Sequence, residues 1–298
     1  MEDIILELKK RLKASVRKNR AEGMLFSGGL DTTILASINP KIRAISVNFN
    51  SRGEDIIYSA TAARYLNMER HEKSVTTDEA INAIPEVIGI LKTFDPAIPN
   101  DIVVYLGLKK AKELGIKSIS TGDASDELFG GYSYMQVIRD LDAYIRRIAQ
   151  NMNFSSGPLA KHFCIKLRQP FMDKKVIELA LSIAPELKIK SEGDRVHGKW
   201  ILRKAYEESL PEELVWQSKR PLECGSGMTE LRKIISSTIS DKEFANNPYP
   251  VKFINKEHFF YYKVYRDVVG DIPAAETGQK ACPDCSAGMH TTSFHCRT

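Results

Sequence analysis

The chain has 298 residues, of which 43% are hydrophobic, 8% aromatic and 27% charged; these values exclude a disordered or collagen-like chain. A net charge of +5 suits a bound polyanion such as a nucleotide without requiring DNA or RNA. No apolar run reaches the ~18 residues of a membrane span, and Met1-Glu2-Asp3 lacks the basic and apolar regions of a secretory signal, so no membrane contact and a cytoplasmic location are expected.

Residues 3–19 read as an amphipathic helix. Ile4, Ile5, Leu8, Leu12 and Val16 share one face, while Lys9, Lys10, Lys13 and Arg17 lie off it on a solvated side. Strands are predicted at residues 24–26, 44–47 and 117–120. Helices are predicted at 55–66, at 78–91 with Pro85 inside, and at 102–114 closed by Gly115. Short strands alternating with helices up to about residue 133 imply βαβ units on a parallel sheet. Residues 134–240 read as mainly helical, punctuated by Pro170, Pro185, Pro211 and Pro221. Beyond Asp241 the chain reads as irregular and aromatic, from Tyr249 through Tyr265. The expected class is therefore α/β, a parallel sheet flanked by helices, followed by a mostly helical half and a short Cys/His tail. The expected domain is residues 1–240, with 1–133 as its nucleotide-binding part and 134–240 as its helical part, and residues 241–298 form an extension.

The stretch Leu25-Phe26-Ser27-Gly28-Gly29-Leu30-Asp31-Thr32-Thr33 is the most informative. Two glycines directly after a strand let the backbone turn tightly and approach a ligand. The next N–H groups, with the hydroxyls of Ser27, Thr32 and Thr33, open onto a helix N-terminus, which binds phosphate through backbone donors and the positive dipole end. Asp31 would repel phosphate unless a divalent cation lies between them, and Mg²⁺ is the natural choice. A plain strand-to-helix turn capped by Asp31 is the other reading. The Gly-Lys-Ser/Thr ending of a Walker A loop is absent. The loop resembles the pyrophosphate loop of the ATP pyrophosphatase superfamily.

A second loop follows the strand at Ile119: Ser120-Thr121-Gly122-Asp123-Ala124-Ser125-Asp126-Glu127-Leu128-Phe129-Gly130-Gly131-Tyr132. Its acids suit Mg²⁺ or a substrate amine, and ligands of open α/β sheets bind at the strand ends where such loops lie. The segment resembles the Gly-Glu-Gly-Ser-Asp-Glu-Leu-Phe-Gly-Gly-Tyr signature of the asparagine synthetase family. Arg168-Gln169-Pro170-Phe171-Met172-Asp173 is similar to that family's Arg-x-Pro-Phe-Leu-Asp. Lys199-Trp200-Ile201-Leu202-Arg203 is similar to its Lys-x-x-Leu-Arg, and Leu210-Pro211 and Lys219 fall at matching places.

The resemblance implies an adenine nucleotide α-hydrolase-like fold and an ATP-dependent carboxylate–amine ligase. Such an enzyme adenylates a carboxylate, releases pyrophosphate, and transfers the acyl group to ammonia or another amine. By position it puts Ser27, Gly28, Gly29, Asp31, Thr32 and Thr33 on pyrophosphate. Leu25, Val47 and Gly122 fall near adenosine, Asp31 and Asp126 on Mg²⁺, and Lys199 on charge developing in the transition state. Asp123 stands where the family has a Glu thought to act as base on the incoming nitrogen, one methylene longer. No glutaminase domain precedes the matched region, so ammonia from solution, a separate glutaminase subunit or a different amine is expected. The stretch from Asp95 to Ile102 lacks the Arg and Thr of the family's aspartate pocket, which leaves the carboxylate open between aspartate and an analogue; the oligomeric state, a homo-oligomer among the options, is open as well. Two other readings stand beside this one. An RNA-modifying, tRNA-thiolating enzyme would fit the phosphate loop but not the Asp-Glu-Leu-Phe-Gly-Gly-Tyr segment. A nucleotide-binding regulator would bind ATP without turnover.

Five cysteines with no secretory signal argue against a disulfide framework. Cys282-Pro283-Asp284-Cys285, followed by His290, His295 and Cys296, suits tetrahedral Zn²⁺ with Cys282, Cys285, Cys296 and one histidine, His295, as ligands.

Overall fold

The computed structural model describes residues 1–50, 53–293, 296 and 298. Five parallel strands form its central sheet: β1 (Gly23–Leu25), β2 (Arg43–Phe49), β3 (Arg70–Val75), β4 (Ser118–Ser120) and β5 (Lys166–Arg168). Their spatial order is β3-β2-β1-β4-β5. The chain thus winds from β1 outward to β3 and then crosses back to β4. The order reverses between β1 and β4, and a ligand crevice opens at such a switch point.

β2 shows why the sheet is covered on both faces. Six of its seven residues are buried, as expected for a parallel strand between two helical layers. Ile45, Val47 and Phe49 enter the core beneath helices α4 (Thr77–Leu91) and α5 (Ile98–Glu113). Ala44, with Met24 and Phe26, enters the core beneath α1 (Glu2–Lys18), α2 (Leu30–Ile38) and α3 (Asp55–Tyr65). The α1 face is as expected, burying Leu8, Leu12 and Val16. A Thr76–Glu79 capping box starts α4, satisfying two otherwise orphaned donors, and the helix runs through Pro85 without ending.

Three features differ from the sequence reading. The edge strands β3 and β5 lack apolar runs. β3 reads Arg-His-Glu-Lys-Ser-Val with one buried residue, and charge on an edge discourages pairing with another chain. α5 begins four residues earlier than predicted, with Pro99 in its first turn, where proline's missing N–H costs nothing. The segment expected to be irregular contains a helix, Lys256–Val268, which buries Phe259, Tyr261, Tyr262 and Tyr265 against α4. Its run of aromatics hides the helical period.

The second half is mainly helical but also carries a hairpin, β6 (Ile189–Glu192) and β7 (Arg195–Gly198). A second hairpin, β8 (Gln279–Ala281) and β9 (Gly288–His290), lies in the tail. No described helix is long and apolar enough to cross a membrane.

Candidate active site

The two glycine-flanked loops leave the C-terminal ends of β1 and β4, adjacent strands at the switch point. The first turns at Gly28, whose φ of 74° lies in the left-handed region that glycine tolerates. A Cβ there would meet the Ser59 backbone nitrogen at 2.3 Å, so the close approach of the loop to α3 needs glycine. Gly29 then serves as the N-cap of α2, whose free N–H groups and dipole favour an anion. Ser27 Oγ accepts a hydrogen bond from the Gly29 N–H (3.2 Å), and Thr32 Oγ1 donates to the Gly29 carbonyl (3.2 Å). Gln217, reached only by the tertiary fold, donates from Nε2 to the Gly28 carbonyl (3.0 Å). Gln217 is itself tethered because Arg203 donates from Nη1 to its carbonyl (3.0 Å).

In the second loop a short helix, α6 (Ser125–Phe129), follows Ala124. Ala124 has a φ of 75°, a left-handed conformation that costs a non-glycine residue about 1–3 kcal/mol. The strained turn separates two carboxylates with different surroundings. Asp126 points towards the first loop. Asp123 points sideways, and its Oδ2 accepts from Thr121 Oγ1 (2.6 Å), Ser156 Oγ (2.6 Å) and Gln169 Nε2 (2.9 Å).

Lys199 joins the loops. It follows β7 as the N-cap of the Trp200–Tyr206 helix, again with positive φ (55°), and its N–H donates to the Phe129 carbonyl (3.1 Å). Its side chain is buried. Nζ lies 2.7 and 2.5 Å from the two Asp31 oxygens and 2.8 Å from Asp126 Oδ1. Lys219 Nζ reaches Asp126 Oδ2 at 2.7 Å, and Ser125 Oγ donates to Asp31 Oδ1 (2.7 Å). Burial alone would push the Lys199 ammonium down, but the Asp126 and Asp31 carboxylates outweigh it and hold it above the usual lysine value. Burial likewise opposes ionisation of Asp126, but Lys199 and Lys219 bring it down to about 2. Gly131 makes this packing possible: a Cβ there would sit 1.9 Å from Asp126 Oδ1 and 2.4 Å from Lys199 Cε.

Two spaces adjoin this cluster. A cavity of about 230 Å³ has an apolar end with Leu25, Val47 and Val103, and a polar end with Ser27, Asp31 and Gly122. A wider cleft of about 1440 Å³ continues past Lys199, Lys219 and Arg220. The fold therefore brings Leu25, Ser27, Gly29, Asp31, Thr32, Val47, Gly122, Asp123, Asp126 and Lys199 to one crevice. Thr33 is set apart: it is fully buried, and its hydroxyl has no partner among the described residues, so it backs the loop rather than facing the crevice. Cys282, Cys285 and Cys296 gather elsewhere, in the tail, while His295 lies outside the described residues.

Asp55 and Arg220 were not foreseen. Asp55 starts α3 and lines both spaces, with Arg220 Nη2 3.8 Å away; in the sequence it looks like an ordinary helix-start acid. Burial pushes its carboxyl up to about 7 despite the Arg220 charge. A folded-state value raised above the unfolded one gives stability that is full below the unfolded value and lost as pH rises through the folded one. Asp55→Asn removes that loss. The variant should exceed the parent at pH 8 by on the order of 2 kcal/mol, with the gap closing towards pH 4. Urea unfolding at several pH values checks this, and a gap independent of pH would refute it.

Comparison with known proteins agrees with the geometry. The family model for asparagine synthase matches residues 7–164 and 145–282. The chain is 30% identical to a probable glutamine-hydrolyzing asparagine synthetase of Schizosaccharomyces pombe, over 95% of this chain and 60% of that protein. It is 28% identical to a probable glutamine-hydrolyzing asparagine synthetase of Dictyostelium discoideum, over 90% of this chain and 55% of that protein. It is 27% identical to the glutamine-hydrolyzing asparagine synthetase B of Escherichia coli K12, over 91% of this chain and 55% of that protein. The chain thus matches little more than half the length of these relatives. By its motifs, its crevice and these matches, the chain belongs to the asparagine synthase family.

Proposed function

We propose that the chain is an ATP-dependent carboxylate–amine ligase that adenylates a carboxylate, aspartate or an analogue, and passes the acyl group to ammonia or another amine. The observation that carries this reading is the convergence of Asp31, Asp126 and Lys199 beside a glycine-turned helix N-terminus, with contacts of 2.5–2.8 Å. Such a cluster handles polyphosphate charge, while the apolar end lined by Leu25 and Val47 suits an adenine ring, with Gly122 in the lining of the same cavity.

In this reading the backbone N–H groups after Gly28 and Gly29, with Ser27 and Thr32, bind the β- and γ-phosphates. Thr33 supports the loop from within. Lys199 and Lys219 supply positive charge where the α–β phosphate bond breaks. A preorganised cation at developing charge is among the most effective catalytic devices. The acceptor carboxylate enters from the wide cleft, and Asp123 faces the nitrogen nucleophile.

Mg²⁺ fits the donor set. Two carboxylates, Asp31 and Asp126, converge from separate loops on Lys199 Nζ at 2.5 and 2.8 Å, and carboxylate oxygens gathered in this way beside a phosphate loop suit a hard divalent cation. When bound by Asp31 and Asp126, Mg²⁺ would neutralise phosphate charge.

Support for a ligase of this type comes from the family membership and from the placing of motifs in one crevice. The nitrogen source is ammonia, another amine or a separate glutaminase subunit, and the site works within the cytoplasm. The test follows α-labelled ATP with Mg²⁺, ammonium and a panel of carboxylates headed by aspartate. Carboxylate-dependent AMP with pyrophosphate is expected. ADP with phosphate, or no carboxylate-dependent AMP across the panel, would overturn the proposal.

A further inference from the structure

The tail holds three thiols that the ligase reading does not use. Cys282 and Cys285 lie in the turn joining β8 to β9. That turn is closed by hydrogen bonds from the Cys282 N–H to the Ala287 carbonyl (2.8 Å) and from the Ser286 N–H to the Cys282 carbonyl (2.9 Å). Ser286 adopts a left-handed φ of 63°, which lets the chain fold tightly around the sulfurs. Cys296 returns from farther along the chain and brings its sulfur to 3.6 Å from that of Cys285.

All three sulfurs lie within 4.8 Å of one another. A tetrahedral ion with metal–sulfur bonds of ~2.3 Å separates its sulfurs by ~3.8 Å, within the spread seen here. A disulfide requires ~2.05 Å, well short of the 3.6 Å between Cys285 and Cys296. Cys282 and Cys285 are buried in the core shared with α4 and α5, alongside Ala287, Met289 and Tyr265. Three cysteine sulfurs gathered in one place offer a shared set of donors to a metal ion. A donor set made of sulfur selects a soft or borderline ion rather than Mg²⁺, and the Cys-x-x-Cys spacing is that of structural zinc sites.

We propose that Cys282, Cys285 and Cys296 bind Zn²⁺ in a structural site that fastens the tail to the wall of the wide cleft. Cys296 itself lines the cleft. Just before it the Thr292 carbonyl accepts a hydrogen bond from Arg147 Nη2 (2.7 Å), and the Lys252 N–H donates to the Asp284 carbonyl (2.8 Å) at the knuckle. Zinc held by these three sulfurs therefore closes the loop from Cys285 to Cys296, whose end lines the cleft. None of the three cysteines is a residue on which the ligase reading rests, so failure of the zinc site would leave that reading untouched.

The test uses the full chain, untagged with polyhistidine and purified in reductant with supplied zinc sulfate. Elemental analysis should find about one zinc per chain, and X-ray absorption at the zinc edge should show sulfur neighbours at ~2.3 Å. Cys282→Ser and Cys296→Ser should each reduce zinc at least ~5-fold, since structural sites need their full ligand set. Should the variants fail to fold, titration of the unaltered protein with a mercurial decides, with zinc release expected to track the modification of three thiols. Removing zinc should also expose the tail hairpin to protease. Zinc-free protein after zinc supply, a shell of oxygen and nitrogen only, metal retained by both variants, or a Cys285–Cys296 disulfide in place of metal would each overturn the proposal.

Discussion

Replacing Lys199 with methionine should lower the rate of carboxylate-dependent AMP formation by about 10³-fold, because a preorganised group facing transition-state charge is worth ~10²–10³ and the change also leaves Asp31 and Asp126 facing each other. The methionine stem keeps most of the packing, so the loss is of charge. Removing one member of a buried ion pair costs ~3–5 kcal/mol, and the pH dependence of that cost carries the signature. In the parent, Asp126 is held at about 2, below its unfolded value, so it contributes stability that is present above the unfolded value and lost as pH falls through 2. In the variant, the two carboxylates repel, and one of them is driven to protonate. The stability gap between parent and variant should therefore widen as pH rises from about 3 to 6. Labelled-ATP assays and urea unfolding across that range check both halves. A variant within tenfold of parental activity would refute the catalytic assignment, whereas a gap flat in pH would refute the electrostatic one.

The parts of the site that the sequence displays are those whose physics is local. Gly28 and Gly131 stand in the motifs because backbone or carboxylate atoms come within 2.3 and 1.9 Å of where a Cβ would be, and no other residue fits. Such constraints leave contiguous marks. The pairing of Lys199 with Asp31 spans 168 residues; the family resemblance pointed to each residue as part of the site but not to their contact. Seen alone, the lysine is an ordinary cation before a helix. Gln217 and Arg203 are in the same position, holding the Gly28 carbonyl through a relay of side chains that no spacing rule encodes. The central strands were legible because they carry apolar residues, β2 being almost wholly buried, whereas the edge strands β3 and β5 were missed because they are polar. Asp55 was missed for a related reason. Its raised carboxyl is a product of burial by the 220–225 segment, where Gly225 leaves room for its side chain: a Cβ there would lie 2.3 Å from Asp55 Oδ1.

Asp123 is where this chain departs from its family's pattern, and its geometry makes the departure testable. Oδ2 is fully engaged by Thr121, Ser156 and Gln169, so the carboxylate cannot rotate freely, and Oδ1 is the oxygen available to an incoming amine. In Asp123→Asn the three donors still require an acceptor. They will therefore orient the amide with its oxygen in the place of Oδ2 and its NH₂ in the place of Oδ1. The fold and the ATP site should then be unchanged, while the only atom able to take a proton is replaced by one that cannot. Amide formation should fall by about 10²–10⁴, the usual worth of a positioned general base, while carboxylate-dependent exchange of labelled pyrophosphate into ATP should stay within a fewfold of the parent. The split between the two half-reactions is what a merely structural residue would not produce, since loosening the loop would damage both. Equal losses in exchange and amide formation would make Asp123 a positioning residue, tied by Thr121, Ser156 and Gln169 to the loop that carries Asp126. Retained amide formation would mean that the amine reaches the acyl adenylate already deprotonated.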